Sequence, residues 1–201
     1  MKTLVLLLTL WIAAPIFAQS TIDEIDALVS NYDKRLTNAM LEEEEYLVPH
    51  LEVKSQIMKR AIGIVDHTIT IYFDKNDKMM ETKTHTKEVH HATIRKANFQ
   101  LISGSYTIDY AYSYNEQGDL IYYEEKMIGY SCYTKKMYFL EGVCVRVSKK
   151  AIKTDACEPT DEKDYKRIAL TKEDKEESDY VLKKAEQFKA LLKVNYSILM
   201  D

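Results

Sequence analysis

The sequence predicts an α+β fold, a mainly antiparallel meander sheet of about six strands with N-terminal and C-terminal amphipathic helices packed on it. Three observations predict it. Apolar residues recur with a helical period at both ends of the chain, they alternate with a period of two between about residues 51 and 150, and hairpin-like turns punctuate that middle region. No helical stretch separates the strands, so no parallel crossover is available and neighbouring strands have to pair antiparallel.

The chain opens with one charge, Lys2, then an apolar run from Leu4 to Ala14, then Pro15-Ile16-Phe17-Ala18 before Gln19. This is the n-region, h-region and small-residue cleavage site of a secretory signal peptide, over residues 1–18. It predicts an exported chain, periplasmic or extracellular, whose residues 19–201 form a single α+β domain. No stretch approaches the ~20 apolar residues of a membrane-crossing helix, so no membrane span is expected. Without Lys2 the chain has 27 basic against 32 acidic residues, a net charge near −5. No basic stripe stands out, which argues against nucleic acid as a partner. An apolar content of 46% argues against a disordered chain.

Thr21-Ile22-Asp23-Glu24 reads as a capping box, and Ile22, Ile25, Leu28, Val29, Tyr32 and Leu36 then follow at helical spacings. The helix is expected over about 22–45, ending in Glu42 to Glu45 and closed off before Pro49. Further on, Ile69, Ile71 and Phe73 alternate with polar residues. Tyr106 to Tyr114 alternates more sharply, with four tyrosines and Ile108 at the even positions. Such residues suit a pleated, half-buried surface. Three turns look alike: Phe73-Asp74 through Met79-Met80, Tyr114-Asn115 through Gly118 to Leu120-Ile121, and Tyr138-Phe139 through Gly142 to Val145. In the first two, Asp or Asn opens the reversal by bonding its own backbone; Gly118 and Gly142 can take the positive φ a tight turn demands. Residues 151–171 are polar and read as a loop or short edge segment. A second helix is expected over about 173–199, with Val181, Ala185, Phe188, Leu192, Tyr196 and Leu199 as its apolar stripe.

Three cysteines matter in an exported chain, where disulfides persist. A tight turn at Glu141-Gly142 pairs Phe139 with Cys144 and sets Cys132 opposite about residue 151. Cys132 and Cys144 then lie on the order of 20 Å apart along the strand, too far for a bridge. The expected disulfide is Cys132–Cys157, with Cys144 buried and free; three reduced, buried cysteines are the alternative.

No metal site is expected. His90 and His91 point to opposite faces of one strand, His85 is distant from them unless a turn intervenes, and His50 and His67 lie elsewhere. No zinc-type spacing, nucleophile elbow or glycine-rich phosphate loop is present, and no cofactor is expected. What is left is tyrosine. Of fifteen, nine fall between Tyr106 and Tyr138, and tyrosine combines an apolar body with a polar tip suited to binding. One reading makes them a binding face, with Asp109, Tyr122, Tyr123, Glu124 and Glu125 as ligand contacts. The other buries the even-numbered rings of strand 106–114 under the helices, and is preferred for that strand. Tyr122 and Tyr123 point to opposite faces, so at least one is expected outside the core.

Tyr112-Ser113-Tyr114-Asn115-Glu116-Gln117-Gly118-Asp119-Leu120 and Tyr138-Phe139-Leu140-Glu141-Gly142-Val143, together with the export signal, resemble small exported proteins of Bacteroides-type bacteria. The segment Tyr114 to Ile121 is also similar to one Tyr-Asp-type repeat of bacterial surface and toxin shells, although one clear copy and one degenerate copy do not build such a shell. The resemblance implies no activity for particular residues. The expected function is an exported, non-catalytic binding or interaction protein of the cell envelope, taking a saccharide, peptide or protein. A hydrolase of envelope glycans or peptides is the alternative, and a subunit of a larger assembly a third.

Overall fold

The computed structural model describes residues 21–39, 48–60, 62–75, 78–81, 86–89, 91–129, 131–151, 165–167 and 170–200. The chain divides into two compact units, Met1–Glu45 and Tyr46–Asp201.

In the first unit, residues 21–39 are helical and form α1. Ile22, Ile25 and Leu36 of the expected stripe are buried, whereas Leu28 is 57% exposed. Thr21, expected as the cap, is itself helical, and residues 40–45 of the expected helix lie outside the described residues.

The second unit is a sheet built by consecutive hairpins. Its strands are β1 (His50–Lys59), β2 (Gly63–Lys75), β5 (Ala92–Ser103), β6 (Tyr106–Tyr114), β7 (Leu120–Ile128), β8 (Tyr133–Leu140), β9 (Val143–Ala151) and the short β10 (Tyr165–Arg167), in the order β1-β2-β5-β6-β7-β8-β9-β10. Every pairing within it is antiparallel. Seven long strands, rather than about six, make the meander, and the three residues of β10 add an edge. β3 (Lys78–Glu81) and β4 (Thr86–Val89) pair only with each other. The first of the three similar turns therefore does not return the chain along β2. It starts a separate ribbon, and β2 pairs with β5 instead.

The other two turns behave as their chemistry demands. Asn115 Oδ1 accepts the main-chain N–H groups of Gln117 at 3.0 Å and Asp119 at 2.8 Å, and Gly118 takes φ +82°. Glu141 and Gly142 have φ of 49° and 76°, the two positive values of a two-residue hairpin turn. Phe139 pairs with Cys144 as expected, but a bulge between Tyr138 and Phe139 shifts the rest by one residue, so Tyr133 faces Ala151.

Lys172–Met200 forms α2. Its start is a reciprocal cap: Thr171 Oγ1 accepts from the Asp174 N–H at 3.1 Å, and Asp174 Oδ2 accepts from the Thr171 N–H at 2.8 Å. The stripe Val181, Ala185, Phe188, Leu192 and Tyr196 is buried on the sheet with Ile71, Phe73, Ala97, Tyr112, Tyr114, Met137 and Phe139. Ring contacts set the seat, Phe188 edge-on to Tyr112 at 5.0 Å and Tyr196 edge-on to Phe73 at 5.4 Å. No helix among the described residues is long and apolar enough to cross a membrane.

Candidate functional site: an aromatic cleft beneath α2

Side chains alternate across a strand, so the pairing register decides which residues share a face. Ile69 faces Phe99, Phe99 faces Tyr110, and Tyr112 faces Tyr123, which places these side chains on the α2 face of β2, β5, β6 and β7. His67 and Leu101 pair one step further along the same face. Above them α2 presents Tyr180, Lys184, Gln187 and Leu191, a second stripe beside its core stripe. Between helix and sheet lies a cleft of about 560 Å³ lined by these groups and Phe188. This volume falls in the range of small-molecule sites.

The floor is ordered by ring contacts. Phe99 and Tyr110 stack at 5.4 Å with planes 12° apart, Tyr110 stacks on Tyr123 at 6.4 Å, and His67 meets Phe99 edge-on at 5.5 Å. Faces occupied by neighbouring rings leave edges and hydroxyls as what they offer a ligand. Tyr123 donates its hydroxyl to Glu125 Oε2 at 3.0 Å, and Tyr133 donates to Glu125 Oε1 at 2.6 Å. Among the described residues the Tyr110 and Tyr112 hydroxyls have no hydrogen-bond partner, although Tyr112 is only 3% exposed. His67 Nε2 is likewise buried without a partner.

Burial, with the Glu125 carboxylate adding to it, raises the Tyr110 phenol to about 12. Burial also pushes Tyr112 and Tyr123 upwards, so these three phenols of the floor stay neutral donors at any ordinary pH. Lys184 is the one lysine or arginine among the lining residues, which also include the His67 imidazole, and no acidic side chain is among them. Its Nζ sits 5.7 Å from the Tyr180 ring centroid.

The five residues expected as ligand contacts divide between two faces. Tyr123 lines the cleft and Glu125 lies on the same face, binding Tyr123 and Tyr133. On the opposite face, Asp109 accepts a hydrogen bond from Gln100 Nε2 at 2.8 Å, Glu124 lies 3.8 Å from Lys136 Nζ, and Tyr122 packs edge-on to Tyr138 at 5.3 Å. Tyr122 and Tyr123 are each 3% exposed. As expected of opposite faces, only Tyr123 belongs to the core beneath α2, but Tyr122, outside that cluster, is buried as well, against Tyr138 on the other face of β7. Three of the four even-numbered rings of β6 sit with the core beneath α2, Tyr112 and Tyr114 in it and Tyr110 at its margin, whereas Tyr106 at the start of the strand is not part of that cluster.

His67, Phe99, Leu101, Tyr180, Lys184 and Leu191 were not singled out from the sequence. The alternation His67-x-Ile69 and Phe99-x-Leu101 and the spacing of Tyr180, Lys184, Gln187 and Leu191 are legible there. What joins them is the register of β2 on β5 and the seat of α2.

Cys132 is disulfide-bonded, and Cys144 is a free, buried thiol. Cys157, its expected partner, lies outside the described residues, as do His85 and His90. His50 and His91 are exposed and distant in register from His67. A second cavity of about 400 Å³ lies near the other end of α2, lined by His91, Thr93, Gln117, Lys189, Lys193 and Tyr196 among others. Among the described residues, it carries no buried, unpartnered polar side-chain atom. Comparison with known proteins finds no matching protein family, no matching curated protein and no matching solved structure.

Proposed function

We propose that this chain is an exported, non-catalytic binding protein of the bacterial cell envelope, and that it holds its ligand in the cleft beneath α2. One observation carries the reading: among the described residues, a mostly apolar cavity of ligand size is lined by Tyr110 and Tyr112, whose hydroxyls have no hydrogen-bond partner, and by Lys184, with the buried, unpartnered Nε2 of His67 at its margin. Buried polar groups ordinarily find partners, and these would find theirs in a bound molecule.

The competing hydrolase reading would draw on His67 and Glu125 as its acid and base. They stand on β2 and β7 with β5 and β6 between them, roughly 14 Å apart at ordinary strand spacing, which is too far for direct proton exchange. Glu125 already holds two tyrosine hydroxyls.

A thermal-shift screen of the purified chain against envelope saccharides, peptidoglycan fragments, peptides and small amphipathic compounds tests the reading. A ligand at ~100 times its dissociation constant adds ~2.7 kcal/mol, a plainly measurable shift. Gln187 is exposed on α2, so Gln187→Trp should obstruct the cleft without disturbing the core. A shift that Gln187→Trp abolishes supports the cleft; one that it leaves intact places the ligand elsewhere.

A second reading, as a subunit of a larger assembly, has its own support. β1 is an outer strand of the sheet, and Val53, Ile57, Met58, Ile62 and Ile64 of the β1–β2 hairpin are 37–73% exposed. Exposed apolar side chains along a strand edge favour pairing with another chain. Light scattering that showed only monomers, before and after addition of an envelope extract, would remove this reading.

A further inference from the structure

Resting on the cleft as the binding site, we infer that its ligand is a small amphipathic monocarboxylate, its carboxylate received beside Lys184 and the Tyr110 and Tyr112 hydroxyls and its apolar body laid along Ile69, Leu101 and Leu191. The charge pattern supplies the first part of the argument. Lys184 is half-buried, and among the described residues it has no carboxylate partner; its contact is with the Tyr180 ring. A partly desolvated ammonium favours an anion that replaces lost water.

The nearby acids are already engaged. Glu125 accepts from Tyr123 and Tyr133, and Glu177 is paired with Lys135. Neutral phenols beside one lysine offer donors and one permanent positive charge, which matches a single carboxylate better than a phosphate dianion.

The rest of the cavity sets the body. Phe99 and Tyr110 stack on each other, Tyr123 stacks on Tyr110 and His67 meets Phe99 edge-on, so little ring face remains there for the flat stacking that sugars use. Beside His67, Gln187 and Tyr180, isoleucine, leucine and phenylalanine side chains make up most of what remains, and they favour hydrocarbon. From the Tyr110 ring the cleft extends past Phe99 to His67 in centroid steps of 5.4 and 5.5 Å. A medium-length aliphatic chain or a fused aromatic ring pair fills that distance.

The test is calorimetric titration of the purified chain with decanoate and 2-naphthoate, below any micelle concentration, beside the uncharged decanol and 2-naphthol. Each is repeated with Lys184→Met, which keeps the aliphatic stem, and with Tyr112→Phe. At least one acid is expected to bind at one per chain, about tenfold more tightly than its alcohol, the worth of one charge-assisted hydrogen bond. Lys184→Met should erase that difference while leaving the alcohol unchanged, and Tyr112→Phe should weaken the acid several-fold. Equal binding of acid and alcohol, or a Lys184→Met effect on both alike, overturns the carboxylate assignment and leaves the cleft standing as an apolar site. No binding of any of the four compounds overturns the amphipathic ligand, and the Gln187→Trp result then decides whether the cleft is a site at all.

Discussion

Tyr114 on β6 donates its hydroxyl to the main-chain carbonyl oxygen of Ala185 on α2 at 3.2 Å, joining residues 71 apart in sequence. Tyr114 is 5% exposed and Ala185 1%, so the bond is closed to water and fixes the height of the helix over the sheet. Tyr114→Phe keeps the ring and removes the donor. It should cost about 1 kcal/mol, read as a lower urea midpoint with unchanged slope.

Glu125 ties two strands together through two phenols. Glu125→Ala strands both hydroxyls and should destabilise by about 2–3 kcal/mol, since bonds to a charged acceptor exceed neutral ones. Glu125→Gln keeps a carbonyl acceptor and should lose less. Comparing the two melting temperatures measures the acceptor's worth apart from the space it fills.

Alkali should unfold the protein through its buried phenols. Tyr110 rises from 10 to about 12, chiefly by burial, and Tyr112, Tyr114, Tyr123 and Tyr133 move the same way for the same first reason. A raised pKa means that the folded state holds the proton more tightly than the unfolded chain. Stability is then full below the unfolded value of 10 and falls as pH climbs towards 12 and beyond. Urea midpoints taken across that window should decline, with tyrosinate absorbance appearing together with loss of the fold. Tyrosinate titrating freely in a still-folded protein would contradict the burial of these rings.

Gly129 follows β7 with φ +141°, and a Cβ there would meet the Ser105 carbonyl oxygen and Tyr106 Cβ at 2.6 Å each. Both neighbours belong to the main chain or its root, so neither can rotate away. Gly129→Ala should destabilise by about 2 kcal/mol or more. Gly142→Ala, where nothing lies within 4 Å, should cost only the strain of its positive φ, about 1 kcal/mol. Chemical denaturation of the pair separates steric from conformational cost.

Cys144 should be inert in the native protein. It is 5% exposed, and burial lifts its thiol from 9 to about 11. Thiol reagents at neutral pH should leave it untouched until denaturant is added. Cys144→Ala should leave the non-reduced peptide map unchanged, with Cys132 in its bridge and Cys157 as the expected other half. Reduction should cost ~3 kcal/mol.

Local chemistry made much of this fold readable. β6 runs over Tyr106–Tyr114 as the alternation requires, and α2 over Lys172–Met200 with its five described stripe residues buried. The Asn115 and Gly142 turns follow from residues that bond their own backbone or tolerate positive φ. Each of these signals is complete within about ten residues. The misread turn at Phe73 shows the limit. Its composition matches the Asn115 turn, yet β3 finds β4, because Ile69 and Ile71 are claimed by Phe99 and Ala97 across β5.

The amino-acid sequence alone therefore determined the antiparallel meander in outline, strand β6, two of the hairpin turns and the closing helix with its apolar stripe, since period and turn chemistry act between near neighbours. The tertiary structure decided which tyrosines share a face, that Tyr122 and Tyr123 are both buried, and that His67, Phe99, Tyr110 and Lys184 surround one cleft. Those outcomes depend on register. Bulges at Tyr72/Phe73, Ser113/Tyr114 and Tyr138/Phe139 each shift the pairing by one residue, and one residue is the difference between the two faces of a strand.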